Sequence, residues 1–491
     1  MLFNTIDFII FFIVVLTTLT AIKTSKFQHV FLLLASYFFF YYTSNYLIVL
    51  LIFTTVWDYY FGGMIYKAKN IKTKKLILIA SLAGNLGLLG FFKYADFAIM
   101  QFNVLGNYFD LGTNIPLLDL ALPIAISFYT FHSITYTVGI YRNQIAPVKS
   151  FTEYAIFVAF FPQLVAGPIL RAKEFLPQLR EKIDAFEVGT KLRHIVITEA
   201  NLKIGITMMV LGFFKKMFFA DNIAPFVNEI FAKPLGLDSF TIVSGTIAFG
   251  IQVYCDFSGY SDIAIGAALI MGFKIPPNYN KPFFSTSPSE FWRRWHISLS
   301  SWVKDYLFLP FVYRKIGSDF ILFSGILLTF LVLGLWHGAG WNFVFFGFIH
   351  GIYVLVETII RKRSPKLEQH VFFKRNVGKI FSILATQYLV FLAWIAFRVN
   401  DTNNMLYSME KFVFLDFQTV NIIPFLISHK LPFAFIILFI VLHLISYRTK
   451  NLQEKISQLK TWKWTVFLII VLTSIIFFYD NNSSDFIYFR F

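Results

Sequence analysis

The chain has 491 residues, 57% of them hydrophobic and 14% charged, with a mean hydropathy of +0.65; no soluble domain of this length could bury so much apolar surface, which excludes a soluble globular protein. Its one cysteine, Cys255, excludes an internal disulfide and a thiolate-rich zinc site, and reads as a small buried hydrophobe. The net charge of +16 comes from Lys/Arg clusters between apolar runs, the pattern of loops that face anionic membrane lipid, and no basic patch sits on a soluble domain to bind nucleic acid.

A helix needs about 20 apolar residues to cross a bilayer. On that rule the spacing predicts spans near 5–22, 28–42, 46–62, 76–92, 121–140, 204–220, 241–271, 320–336, 341–360, 380–397, 431–447 and 464–479. The fold class is therefore an all-α, polytopic membrane protein of about 11–12 transmembrane helices, one integral domain over 1–491. The first run has an acidic flank and no small-residue cleavage site, so it reads as a retained helix. The run 241–271 carries internal Gly and Asp residues and is expected to bend or split.

The segment 151–168 is apolar, yet Arg142 and Lys149 precede it, Arg171, Lys173 and Arg180 follow it, and Pro162 and Pro168 interrupt it. Basic flanks on both sides with helix breakers predict a re-entrant or in-plane segment beside a cavity open to the cytoplasm. Lys23 and Lys26, the cluster Lys67 to Lys75, the cluster Arg361 to Arg375, and Lys450, Lys455 and Lys460 fall on one side when the spans alternate. The positive-inside rule makes that side cytoplasmic and puts both termini in the periplasm.

Chemistry concentrates in two stretches. In FWRRWHISLSSWVKDYLF, residues 291–308, His296 follows two arginines and two tryptophans on a charged interfacial segment; Arg293, Arg294 and Lys304 are candidates for attracting a phosphorylated cosubstrate. In LWHGAGWNFVFFGFIHG, residues 335–351, His337 closes an apolar helix amid Gly334, Gly338 and Gly340, so its imidazole is expected to face a cavity, and His350 lies mid-span. On one continuous helix the two imidazoles would stand about 20 Å apart, too far to share a proton. Either the glycines fold the helix back or one histidine alone is chemical, and spacing does not choose. Asn342 and Trp341 are weak candidates for oxyanion donors. His29, His132, His194, His370, His429 and His443 are scattered and take no role. Asp256 and Asp262 read as structurally paired. No HExxH, Walker A loop, GxSxG or GxGxxG set occurs, and the histidines lack neighbouring ligands for a metal.

FFPQLVAGPI (160–169), QVYCDFSGYSDIAIGAALIMGF (252–273), both histidine stretches and the terminal FIYFRF (486–491) together resemble the bacterial membrane-bound O-acyltransferase family, in the branch holding the membrane subunits of alginate and peptidoglycan O-acetylation. That resemblance implies an O-acetyltransferase in the bacterial inner membrane. Acetyl-CoA on the cytoplasmic side would be the acyl donor, as a substrate with no bound cofactor, and a hydroxyl of an extracytoplasmic polysaccharide would accept the acetyl group. It implies His337, the WHG histidine, as catalytic, His296 as the second functional position, and His350 as a further histidine of less certain role. It also implies an extracytoplasmic acetyltransferase partner. A sister branch moves D-alanine toward teichoic acids. A polysaccharide or acyl transporter is the alternative from another class, though no internal repeat of the transporter kind is visible. The chemistry of the histidines agrees, because acyl transfer to a hydroxyl needs a base and oxyanion donors but no metal.

Overall fold

The computed structural model describes residues 1–121, 123–164, 167–180, 192–364, 375–416 and 419–479. Every regular element among them is helical: α1 Ile6–Ala21, α2 Ser25–Ser44, α3 Ile48–Lys67, α4 Ile71–Tyr108, α5 Ile126–Tyr141, α6 Phe151–Ala159, α7 Phe161–Leu164, α8 Ala172–Phe175, α9 Glu199–Phe213, α10 Asp221–Ala232, α11 Ser239–Ile270, α12 Pro288–Arg294, α13 Ile297–Val303, α14 Leu309–Val312, α15 Asp319–His337, α16 Trp341–Arg363, α17 Asn376–Arg398, α18 Thr402–Phe414, α19 Thr419–Ser428, α20 Lys430–Arg448, α21 Leu452–Ser457 and α22 Thr461–Phe477. Local chemistry sets many of the boundaries. Thr5, Asn70 and Ser318 cap α1, α4 and α15 by accepting backbone N–H groups of Phe8, Lys72 and Ile321. Asn45, with φ +48°, turns the chain out of α2 before α3.

Among the described residues, seven helical stretches are long and apolar enough to cross a membrane: 25–67, which holds both α2 and α3, then α4, α11, α15, α16, α17 and α20; α1 and α22 are shorter apolar helices. Rows of large apolar side chains such as Ile6, Leu76, Phe381 and Ile437 are exposed, as lipid-facing positions must be. This is a multi-pass membrane protein. The expected break in 241–271 does not occur, since α11 runs unbroken for 32 residues. Its Gly259 lies so close to the Gly212 carbonyl, and its Gly266 so close to the Gly205 carbonyl, that a Cβ at either would fall 2.7 and 2.5 Å from those oxygens. The glycines let neighbouring backbone approach the helix. They do not interrupt it.

The chain divides into two compact units, one of residues 1–209 and 260–276 and one of 210–259 and 277–491. In the first, α5 is buried at every position except Tyr141. Asp58 of α3 is fully buried among neutral donors: Ser81 Oγ donates to it at 2.7 Å and Asn85 Nδ2 at 2.8 Å. Glu153 and Arg180 form a buried ion pair at 3.0 Å. The segment expected to be re-entrant is α6 and α7, broken at Phe160, with all side chains from Glu153 to Leu164 buried. Nine residues of α6 extend about 13 Å, too short to cross a bilayer. The second unit carries both histidine stretches. Its centre is the antiparallel hairpin of α15 and α16, with α12 and α17 packed on it.

Candidate functional site

The hairpin answers the question that spacing left open. Helix α15 ends at His337 and α16 begins at Trp341, with the extended residues Gly338 and Gly340 in the turn. A Cβ on Gly334 would fall 2.3 Å from the Phe343 carbonyl oxygen, and one on Gly347 2.3 Å from that of Phe330. The two helices therefore meet backbone to backbone, which only glycine permits. The chain folds back, and His337 and His350 both pack against the Phe346 ring, with centroids 5.7 and 4.7 Å from it. Laid end to end, those two contacts set the largest separation the imidazoles can have, about half of what a continuous helix would impose.

His296 joins the same cluster through Trp336, whose ring lies 5.8 Å from that of His296 and 4.9 Å from that of His337. All three histidines are buried, at 0, 3 and 0% exposure for His296, His337 and His350. The expectation that glycines open a cavity beside His337 is not met in the form stated. A Cβ on Gly338 would meet the Phe343 ring at 2.2 Å, one on Gly340 would meet Asn342 Oδ1 at 2.5 Å, and the imidazole itself is walled by Trp336, Phe346 and Phe397. The glycines are occupied with packing.

His296 sits in the left-handed region, φ +43°, at the joint between α12 and α13. A non-glycine residue holds that conformation only where its surroundings fix it. Asn278 supplies the fixing: its Oδ1 accepts from Ser298 N at 3.3 Å and Ser298 Oγ at 2.8 Å, and lies 3.2 Å from His296 Nδ1, while its backbone carbonyl accepts from Ile297 N at 2.8 Å. Because the backbone N–H of Ser298 donates to that Asn278 atom, the atom is the amide oxygen. His296 Nδ1 then carries the proton and Nε2 bears the lone pair. Burial lowers the imidazole pKa to about 3, so the ring is neutral in the cell's pH range.

Trp292 Nε1 donates to His350 Nδ1 at 3.2 Å. The charged candidates divide. Arg293 and Lys304 are exposed, Lys304 opening the π-helical segment Lys304–Phe308. Arg294 is half-buried and paired with Glu290, Nε at 2.9 Å and NH2 at 2.7 Å from Oε1. Burial pushes the Glu290 carboxyl up, but hydrogen bonds from Thr286 and Arg294 outweigh it and hold the carboxyl below its usual range. Asn342 Nδ2 donates to the Ala396 carbonyl and to Asn400 Oδ1, both at 3.2 Å, so its amide ties the start of α16 to the end of α17. Trp341 is exposed.

Sequence reasoning missed several partners. Asn278 lies 18 positions before His296 and Trp292 lies 58 before His350, so no local periodicity links them. Phe346 and Trp336, which join the histidines, carry no feature that singles them out among the many aromatic residues of the sequence. Cys255 is buried, and Asp256 pairs with Lys216 at 2.8 Å. Among the described residues no cluster of His, Cys, Asp or Glu could hold a metal ion. His370 and the 365–374 part of the basic loop, and the terminal FIYFRF, lie outside the described residues.

Residues 8–400 match the MBOAT, membrane-bound O-acyltransferase family. The chain is similar to the peptidoglycan O-acetyltransferase of Helicobacter pylori, 31% identical over 477 residues that cover 89% of this chain and 86% of the relative. It is similar to the probable alginate O-acetylase of Azotobacter vinelandii, 34% identical over 406 residues, 82% of this chain and 76% of the relative. A teichoic acid D-alanyltransferase of Bacillus subtilis matches at 28% identity over half of this chain and 60% of its own length. With both histidine stretches inside the matched residues and built into one buried cluster, the chain belongs to the membrane-bound O-acyltransferase family and is an O-acyltransferase.

Proposed function

We propose that the protein moves an acetyl group from cytoplasmic acetyl-CoA to a hydroxyl of an extracytoplasmic polysaccharide, an alginate-like exopolysaccharide or peptidoglycan. The observation that carries the reading is the cluster of three buried histidines joined through Trp336 and Phe346, on the segments shared with relatives named for O-acetylation. In this scheme His337 takes the proton of the acceptor hydroxyl as its oxygen attacks the thioester carbonyl. The tetrahedral intermediate then expels the thiolate, which receives the proton, and ester and free thiol are the products. His296, neutral and with its Nε2 lone pair set by Asn278, is the second functional histidine. Arg293 and Lys304 receive the donor's phosphates; Arg294 supports them through Glu290. An acetyltransferase outside the membrane is the expected partner in modifying the same polysaccharide. The protein resides in the inner membrane with both termini in the periplasm, as the distribution of Lys and Arg supports.

D-alanyl transfer is the second reading, favoured by the D-alanyltransferase relative but over only half of the chain. Membranes from cells producing the protein, incubated with radiolabelled acetyl-CoA or with D-alanyl carrier protein and extracted polysaccharide, separate the two. Label transferred from acetyl-CoA supports the proposal, and label arriving only from the carrier overturns it.

A further inference from the structure

His350 is fully buried, walled by Phe291, Trp292, Phe346 and Tyr353. An indole N–H can only donate, so the bond from Trp292 Nε1 requires a bare Nδ1 on His350 and places the imidazole proton on Nε2. Nε2 has no acceptor among the described residues. A buried donor left without a partner is costly, and in a native protein such a group calls for an explanation. Its tautomer is the reverse of that of His296, which carries its proton on Nδ1. The two side chains therefore offer different chemistry: a lone pair at His296 Nε2 and an N–H at His350 Nε2.

The arrangement that fixes this proton is built twice over. Helix α12 is tied to α16 by the Trp292–His350 bond and, two helical turns further on, by the bond from Ser289 N to Glu357 Oε2 at 2.8 Å. Positions 350 and 357 lie on one face of α16. Trp292 therefore cannot swing away without detaching the segment that also carries Arg293.

We propose that His350 is a hydrogen-bond donor in the reaction and not an acid or base: its Nε2–H meets the acyl carbonyl oxygen of the bound donor and stabilises the oxyanion that forms there, with Trp292 as the positioning residue that holds the tautomer. No proton leaves His350 in this role. The inference rests on the acyl-transfer reading, and it supplies the oxyanion donor that Asn342, engaged with Ala396 and Asn400, does not.

Two substitutions separate the nitrogens. In His350→Asn, Oδ1 stands where Nδ1 was and still accepts from Trp292, but the distal N–H is gone. In His350→Gln, an amide N–H returns near the Nε2 position. With acetyl-CoA as donor and uronic-acid and muramyl oligosaccharides as acceptors, His350→Asn is expected to lower kcat about 10²-fold by the same factor at every pH, and His350→Gln to recover at least tenfold of that loss. Loss of a limb of the pH profile, or equal kcat for Asn and Gln at matched melting temperature, overturns the proposal. A second arm needs no turnover. In protein labelled with ¹⁵N-histidine, the signal missing from His350→Asn should report a protonated Nε2 and a bare Nδ1, and the opposite tautomer overturns the proposal. Absence of acetyl-CoA turnover in the unaltered protein would instead overturn the acetyl-transfer reading, leaving the tautomer arm to decide this one.

Discussion

The Lys216 ammonium lies 2.8 Å from the Asp256 carboxylate, and both side chains are buried. A second carboxylate, Asp221, stands 2.9 Å from the same ammonium. Lys216 belongs to a π-helical segment, Phe214–Ala220, and Asp256 to α11, whose next residue, Phe257, packs edge-on against the His296 ring at 4.6 Å. The charged group thus braces the helix behind one of the site histidines. Removing one partner from a buried ion pair leaves uncompensated charge and typically costs about 3–5 kcal/mol. Lys216→Met should therefore lower the melting temperature of detergent-solubilised protein sharply, and Asp256→Asn added to it should restore part of the loss. A single variant that melts like the parent would show that the pair contributes nothing.

Close approach of α15 and α16 through Gly334 gives a steric prediction. In Gly334→Ala the new methyl would meet the Phe343 carbonyl at 2.3 Å, with the Gly347 backbone behind it at 3.0 Å, so the helices must separate three residues from His337. Transfer should fall at least tenfold, as about 1 Å of displacement at a reacting group can cost up to 10²-fold. Gly63→Ala on α3, where nothing lies within 4 Å, should leave transfer and expression near normal. Equal activity in the two variants would remove the packing argument.

Much of this was legible in the chain, and what was not has a common cause. Apolar runs announce membrane helices because lipid-facing positions must be apolar whatever they pack on, so α15, α16, α17 and α20 lie close to their expected limits. Helix α4 was underestimated, because its hydropathic centre is flanked by polar turns that remain helical from Ile71 to Tyr108. Gly259, Gly266 and Asp256 read as reasons for α11 to break, since a sequence shows the intrinsic cost of such residues but not the Gly212 and Gly205 carbonyls or the Lys216 ammonium that meet them. The site divides in the same way. Residue types and motifs picked out the three histidines. Their tautomers depend on Asn278 and Trp292, partners that only the tertiary fold brings together.

Burial of His296 carries a pH dependence whose sign is fixed. Its folded-state pKa, about 3, lies below the ordinary histidine value of 6.5. Between those values the unfolded chain binds a proton that the native site refuses, so stability falls as pH drops from 6.5 toward 3 and is insensitive to this group above 6.5. The melting temperature of the parent protein should decline more steeply below pH 6.5 than that of His296→Gln. Parallel curves for the two would mean that His296 titrates normally in the fold.

The last prediction separates donor binding from chemistry. Arg293 and Lys304 are exposed and make no carboxylate contact among the described residues, whereas Arg294 is held by Glu290. Guanidinium and ammonium groups that meet phosphates contribute to binding the whole donor, so Arg293→Gln and Lys304→Gln should raise KM for acetyl-CoA with little change in kcat. Arg294→Gln should act differently, since it frees the Glu290 carboxylate beside the proposed phosphate-binding residues and would add repulsion; its KM should rise further, and Glu290→Gln in the same chain should reverse part of the effect. His337→Ala should show the opposite split. In the proposed role of general base it would contribute about 10² to 10⁴ to the chemical step, so kcat should fall by that factor with KM for the donor nearly unchanged. Steady-state kinetics on matched amounts of solubilised protein decide both halves. A KM effect confined to His337→Ala, or a kcat effect confined to Arg293→Gln, would exchange the roles assigned to these residues.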